Sequence, residues 1–297
     1  MIWLPLAIAC SLGIAVVFKV AERRDLDRTA LLTVNYLAGA ALAAVLQGVG
    51  TASRIDAGLV ALGVAQGVLF IAGFWLFSLA IRRAGMGLAA GVMRLSVVVP
   101  VVVAWAVWGE PVSALQTVGL ALGGVAFFLV ARPAAEPPGK LGPPAGDDAP
   151  ETPPAGSAAL LLGLLFLAGG LVDVLNKTFT EIYAATVSFS LFLLFVFGVA
   201  FLVGAVAVGW TGVRTGRWPR GQTIAWGVGL GLINYASADF FLRAIAELPA
   251  PFVFPANSVA IVFGAALLGR LVWGERLTRA NLAGLAVAAV ALVLLAQ

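Results

Sequence analysis

Among the charged side chains inside the long apolar runs of this sequence are Arg94 and Asp239. An ionisable group at bilayer depth costs at least about 2.5–3.5 kcal/mol, so each needs a partner or a task. Arg94 lies about eight residues from the nearest span boundary, roughly 12 Å deep at the helical rise. Asp239 lies about eight residues from a boundary on the opposite membrane face. Opposite charges reaching the midplane from two sides would suit a clamp for a zwitterion or a carboxylate. Arg94 would take an anionic group, and Asp239 an amine or a proton. The competing account is structural: an ion pair between Arg94 and Asp239, or the local i,i+4 pair of Asp239 with Arg243.

The remaining polar groups within apolar runs form a second tier of substrate-binding candidates. Asp173 and Lys177 are spaced i,i+4 with Asn176 between them, and read first as a helix pair near the interface. Lys177 and Lys19 end corresponding helices, where snorkelling to the headgroups accounts for both. Asn35, Asn234 and Asn257 would bond substrate or tie helices together. Tyr36 and Tyr235 would floor a cavity or pack. Glu110 and Glu275 are expected to bond the starts of spans 5 and 10, where a carboxylate suits a helix N-terminus. Pro251 and Pro255 are expected to break span 9 at cavity depth. The chain has no histidine and one cysteine, Cys10. Histidine-activated nucleophiles, histidine metal ligands and disulfides are thereby excluded. No catalytic group, metal or cofactor is expected.

The elements that must hold these residues are membrane helices. The chain is 62% hydrophobic and 11% charged, against about 25% charged in a soluble domain. Apolar runs recur along it, each long enough to cross a bilayer core of about 30 Å. They fall at about 2–20, 29–48, 57–81, 86–108 and 112–131. A second set falls at about 157–178, 184–210, 221–246, 250–273 and 277–296. Between the sets, residues 132–156 hold eight of the 15 prolines with Gly, Ala and carboxylates, the composition of a flexible linker. The net charge of +4 is scattered through short loops, so no nucleic-acid partner is implied. The partners expected are the lipid bilayer and a small-molecule substrate, with the chain a monomer or a homodimer.

The two sets are related. Trp108-Gly-Glu-Pro-Val-Ser opens the run to Ala131, and Trp273-Gly-Glu-Arg-Leu-Thr opens the run to Ala296. Ten of 24 positions are identical, Gly119 and Gly284 among them. This reads as an internal duplication, with 1–131 and 157–297 as repeats. Five spans per repeat is an odd number, so the second copy must enter the membrane in the opposite sense. Inverted repeats serve alternating access around a site near the midplane. The expected fold is all-α: ten transmembrane helices in two inverted five-helix repeats.

The layout resembles the drug/metabolite transporter superfamily, in particular its EamA-type ten-span members. The resemblance is carried by the two Trp-Gly-Glu segments, by Arg94-Leu-Ser-Val-Val-Val-Pro100, and by Asn257-Ser-Val-Ala-Ile-Val. It implies a secondary transporter of a small polar metabolite, such as an amino acid or another organic anion or zwitterion, in the bacterial cytoplasmic membrane. The alternatives are a passive channel or scramblase of the same fold, or a membrane-embedded lipid-modifying enzyme. The enzyme would need a cluster of catalytic groups that this sequence scarcely supplies. Orientation divides the two lines of reasoning. The basic loops put both termini outside, whereas the resemblance implies both termini in the cytoplasm.

Overall fold

The computed structural model describes residues 2–24, 26–47, 55–84, 86–130, 155–216, 218–274 and 278–297. These residues are helical, with no strand among them. The first half contains α1 (Trp3–Arg23), α2 (Arg28–Gln47), α3 (Ala57–Ala84), α4 (Met86–Leu95), α5 (Val98–Trp108) and α6 (Ala114–Val130). The second contains α7 (Ala155–Ile182), α8 (Phe189–Thr215), α9 (Gly221–Glu247), α10 (Ala250–Trp273) and α11 (Arg279–Leu295). Seven segments are long and apolar enough to cross a membrane, counting α4 and α5 as one; α6 and α11 are shorter apolar helices. The linker expectation for 132–156 falls largely outside the described residues, as does Glu275.

The span at 86–108 is broken, and the cause is in its sequence. Pro100 has no N–H and its ring clashes with the carbonyl four residues back, that of Ser96. Helix α4 ends at Leu95 and α5 starts at Val98. Ser96 Oγ donates to the Met93 carbonyl at 2.6 Å, meeting one acceptor that the break frees. Span 9, expected to break at Pro251 and Pro255, is instead the continuous helix α10. Pro251 sits in its first turn, where an N–H would have no helical partner anyway. Pro255 forfeits a single bond just after it.

The two halves share local detail as well as sequence. In each, the helix before the last ends at Trp-Gly with the glycine left-handed: Gly109 at φ 68° and Gly274 at φ 66°. In each, the last helix opens with reciprocal capping. Ser113 and Gln116 exchange bonds of 3.1 Å, and Thr278 and Asn281 form a capping box. Such a pair satisfies two orphan donors at a helix start.

The helix packing repeats too. Helix α6 lies on α11, and α2 on α8; α2 packs on α9 as α8 does on α3, and α1 on α9 as α7 does on α3. Exchanging the halves leaves these pairings unchanged. Both self-pairs are antiparallel. Gly119, early in α6, meets Leu295 at the end of α11, and Asn281 donates to the Leu129 carbonyl at 3.3 Å. Thr33 and Gly39 of α2 meet Gly204 and Phe197 of α8 in turn.

Paired glycines set how closely helices approach where there is no hydrophobic drive between them. On α3, a Cβ at Gly63 would lie 2.5 Å from Phe195 Cβ, and one at Gly67 2.6 Å from the Val196 carbonyl. On α9, Gly227 and Gly231 play the same part against α2, a Cβ at Gly227 falling 2.7 Å from Val34 Cβ. Gly67→Ala must push α3 off the α8 backbone and should cost about 1–3 kcal/mol, as overpacking does. Gly198 meets nothing within 4 Å, so Gly198→Ala should cost nothing. Melting temperatures of the purified variants compare the two.

Candidate functional site

A cavity of about 370 Å³ lies between the halves, walled by residues of α1, α2, α3, α4, α7, α9 and α10 together with Ser96 and Val97 of the break. Non-helical backbone at membrane depth is tolerated where it is buried in protein or lines such a space. Arg94 occupies the last turn of α4, where the carbonyl end of the helix favours a cation. Helix α7 comes close to the break because it carries Gly169 and Gly170. A Cβ at the first would fall 2.7 Å from Ser96 Oγ, and one at the second 2.5 Å from Val99 Cβ. One turn further along α7 is Asp173, which also lines the cavity.

Arg94 and Asp173 act on each other electrostatically. No ion pair or hydrogen bond joins either of them to a described residue. Around them are Asn35, Tyr36, Asn234, Asn257 and Ser258. Asn234 Nδ2 donates to Asn35 Oδ1 at 3.1 Å, tying α9 to α2. Among the described residues, Asn35 Nδ2 and Asn257 Oδ1 are buried without a partner. Part of the lining is aromatic, with Phe70, Phe74 and Phe77 of α3 and Phe18 of α1.

Six of the ten candidate residues therefore meet at one cavity: Arg94, Asp173, Asn35, Tyr36, Asn234 and Asn257. The other four lie elsewhere. Asp239 accepts from Arg243 Nε at 2.7 Å and Nη2 at 3.3 Å, which is the local pair and not a partner for Arg94. The carboxylate facing Arg94 is Asp173. Tyr235 and Ser190 hydroxyls bond at 2.8 Å. Asn176 Oδ1 accepts from Gln66 Nε2 at 2.9 Å, fastening α7 to α3.

Lys177 departs most from expectation. It neither pairs with Asp173 nor snorkels: its side chain is 3% exposed and lies 2.5 Å from both Glu110 Oε1 and Glu181 Oε1. Glu110 also accepts the Ala250 amide at 2.6 Å through Oε2. It therefore caps α10 and not the start of its own span 5. The amide at α10's first residue has no helical carbonyl to bond, and a carboxylate there meets the positive end of the helix. Beyond this cluster is a second hollow, of about 580 Å³, lined by Glu110, Lys177, Glu181 and Glu247. Lys177 and Glu110 line this hollow and not the first cavity.

No known protein family matches this chain. It is 23% identical over 298 residues to an uncharacterized protein of Haemophilus influenzae, covering 94% of this chain and 92% of that one. It superposes on a solved crystal structure with a TM-score of 0.72 at 14% identity, covering 99% of this chain and 98% of the other. The fold is one that a solved protein adopts along essentially its whole length.

The residues that the sequence reading passed over are the aromatic wall and Glu181. Phe70, Phe74 and Phe77 recur at i, i+4 and i+7, one face of a helix, but within an apolar span that spacing is indistinguishable from packing. Glu181 follows Lys177 by four, so the same helical rule that suggested Asp173 offered it equally.

Lys177→Met should strand Glu110 beside an emptied site. Breaking a fully buried pair costs about 3–5 kcal/mol; the loss here should be smaller, because Glu181 is 38% exposed. Lys177→Met with Glu110→Gln should recover part of it. Thermal denaturation of the single and double variants measures both.

Proposed function

We propose that this chain is a ten-span secondary transporter of the drug/metabolite type, moving a small polar metabolite by alternating access. The observation that carries the reading is the cavity lined by two opposite charges, with no ion pair or hydrogen bond to a described residue, between two halves whose packing is unchanged on exchange. The two Trp-Gly segments with like caps, and the two antiparallel self-pairs, support an inverted five-helix repeat. Helix α9 completes the count of ten. It packs against α1 and α2, and a helix covered by protein need not be apolar all round.

Polarity of the two ends supports a direction. The cavity's apolar wall reaches through Phe18 and Phe77 towards the end carrying Arg23, Arg24, Arg83, Arg214 and Arg220. At the opposite end lie the Lys177 cluster and packed aromatics, among them Phe179 and Phe192 stacked at 4.1 Å. Positive residues favour the cytoplasmic side. The chain would then stand open to the cytoplasm and closed to the outside, with the Lys177 cluster as the outer closure. The bacterial origin of the full-length relative supports the cytoplasmic membrane of a bacterium.

A passive pore of the same fold is the reading to separate from this one. In a Cys10→Ser background, Ser258→Cys places a thiol in the cavity. A membrane-impermeant maleimide should label it in inside-out vesicles and much less in right-side-out ones. Adding Lys177→Met should raise labelling from the closed side several-fold. Equal labelling from both sides with Lys177 intact would mean a pore.

A further inference from the structure

We propose that the cavity takes a small zwitterion with an apolar tail, its carboxylate on Arg94 and Asn35 and its ammonium on Asp173 and Asn257. The proposal rests on the transporter reading and names the substrate class of that same site. Arg94 and Asp173 line one cavity, and neither has an ion pair or hydrogen bond to a described residue. Opposite charges in a low-dielectric space attract strongly. Held short of contact, they leave a gap for something polar. A ligand with one charge would neutralise one of them and leave the other buried and uncompensated, which is unfavourable. A zwitterion answers both.

The two amides add direction. Asn35 is 1% exposed, and its Oδ1 is engaged by Asn234. That leaves Nδ2, a donor, without a partner; a carboxylate supplies the acceptor. Asn257 offers the converse, a buried acceptor Oδ1 with no donor, which an ammonium supplies. Buried polar atoms are nearly always bonded, so two orphans at one charged cavity point to a ligand or water that completes them. The apolar lining includes Phe18, Phe70, Phe74 and Phe77. A wholly polar solute would leave those rings wet, whereas an aliphatic or aromatic tail removes them from water.

The test is thermal stability of the purified full-length protein against a ligand series, since a ligand that binds the folded chain raises its melting point by mass action. L-leucine and L-phenylalanine carry both charges and a tail. Phenethylamine lacks the carboxylate, 3-phenylpropanoate lacks the ammonium, and glycine lacks the tail. The two amino acids should raise the melting point at concentrations at least tenfold below those needed for the other three. Asp173→Asn should abolish the amino-acid response. An equal response to phenethylamine or 3-phenylpropanoate would overturn the zwitterion, and so would no response to either amino acid. Neither result bears on the transporter reading, which one-sided thiol labelling judges separately. The ligand series is read on the unaltered chain, so an Asp173→Asn protein that fails to fold does not shelter the proposal.

Discussion

A proline with no amide hydrogen fixes the centre of this protein. Pro100 cannot continue the helix that precedes it, so the fourth span divides at Ser96 and Val97. In lipid, a broken backbone would be intolerable, because unbonded amides and carbonyls have no water to turn to. The break must therefore be enclosed, and the enclosure is α7, brought close by two consecutive glycines. That approach carries Asp173 to the cavity that Arg94 lines. Break, glycines and charge pair form one causal chain. A side chain at Gly170 would displace α7 and the carboxylate with it.

The second feature follows from the length of a helical turn. Asp173, Lys177 and Glu181 stand four residues apart on α7, about 6 Å between neighbours. The first looks into the cavity, the second is buried in a cluster with Glu110, and the third reaches the hollow beyond. One helix thus runs from the cavity past the Lys177 cluster to the second hollow. Glu110 links that cluster to α5 before it and, through the Ala250 amide, to α10. Movement of α10 relative to α7 would have to release a charge-assisted hydrogen bond or an ion pair, each at a discrete cost.

Much of the architecture was legible because membrane helices announce themselves by composition, and because Trp-Gly-Glu appears twice with a charge at one register. Apart from short turns and caps the described residues are helical, and the two halves share their caps. The break was misplaced to span 9. Two prolines there drew attention from Pro100, yet Pro251 falls in a first turn and Pro255 is carried inside the continuous α10 for the loss of one bond, while the fourth span breaks just before Pro100. Arg94 and the asparagines were found because polarity within an apolar run is conspicuous. Of the two pairings open to Asp239, the local one with Arg243 is the one present, and spacing could not choose between them because depth along a helix says nothing of azimuth. Lys177 was misread for a related reason, since spacing offered two carboxylates and only the packing of α5 and α10 supplied a third.

The claim that most of this rests on is that Arg94 and Asp173 face a ligand space and are not a structural salt bridge. A double-mutant cycle in melting temperature, measured without ligand, tests it directly. Arg94→Gln, Asp173→Asn and the double variant would be compared with the unaltered chain. The account predicts that both single variants fold and that their coupling falls well short of that of a contacting buried pair. Two unstable singles with stability restored in the double would show a buried pair whose halves need each other, and would contradict it.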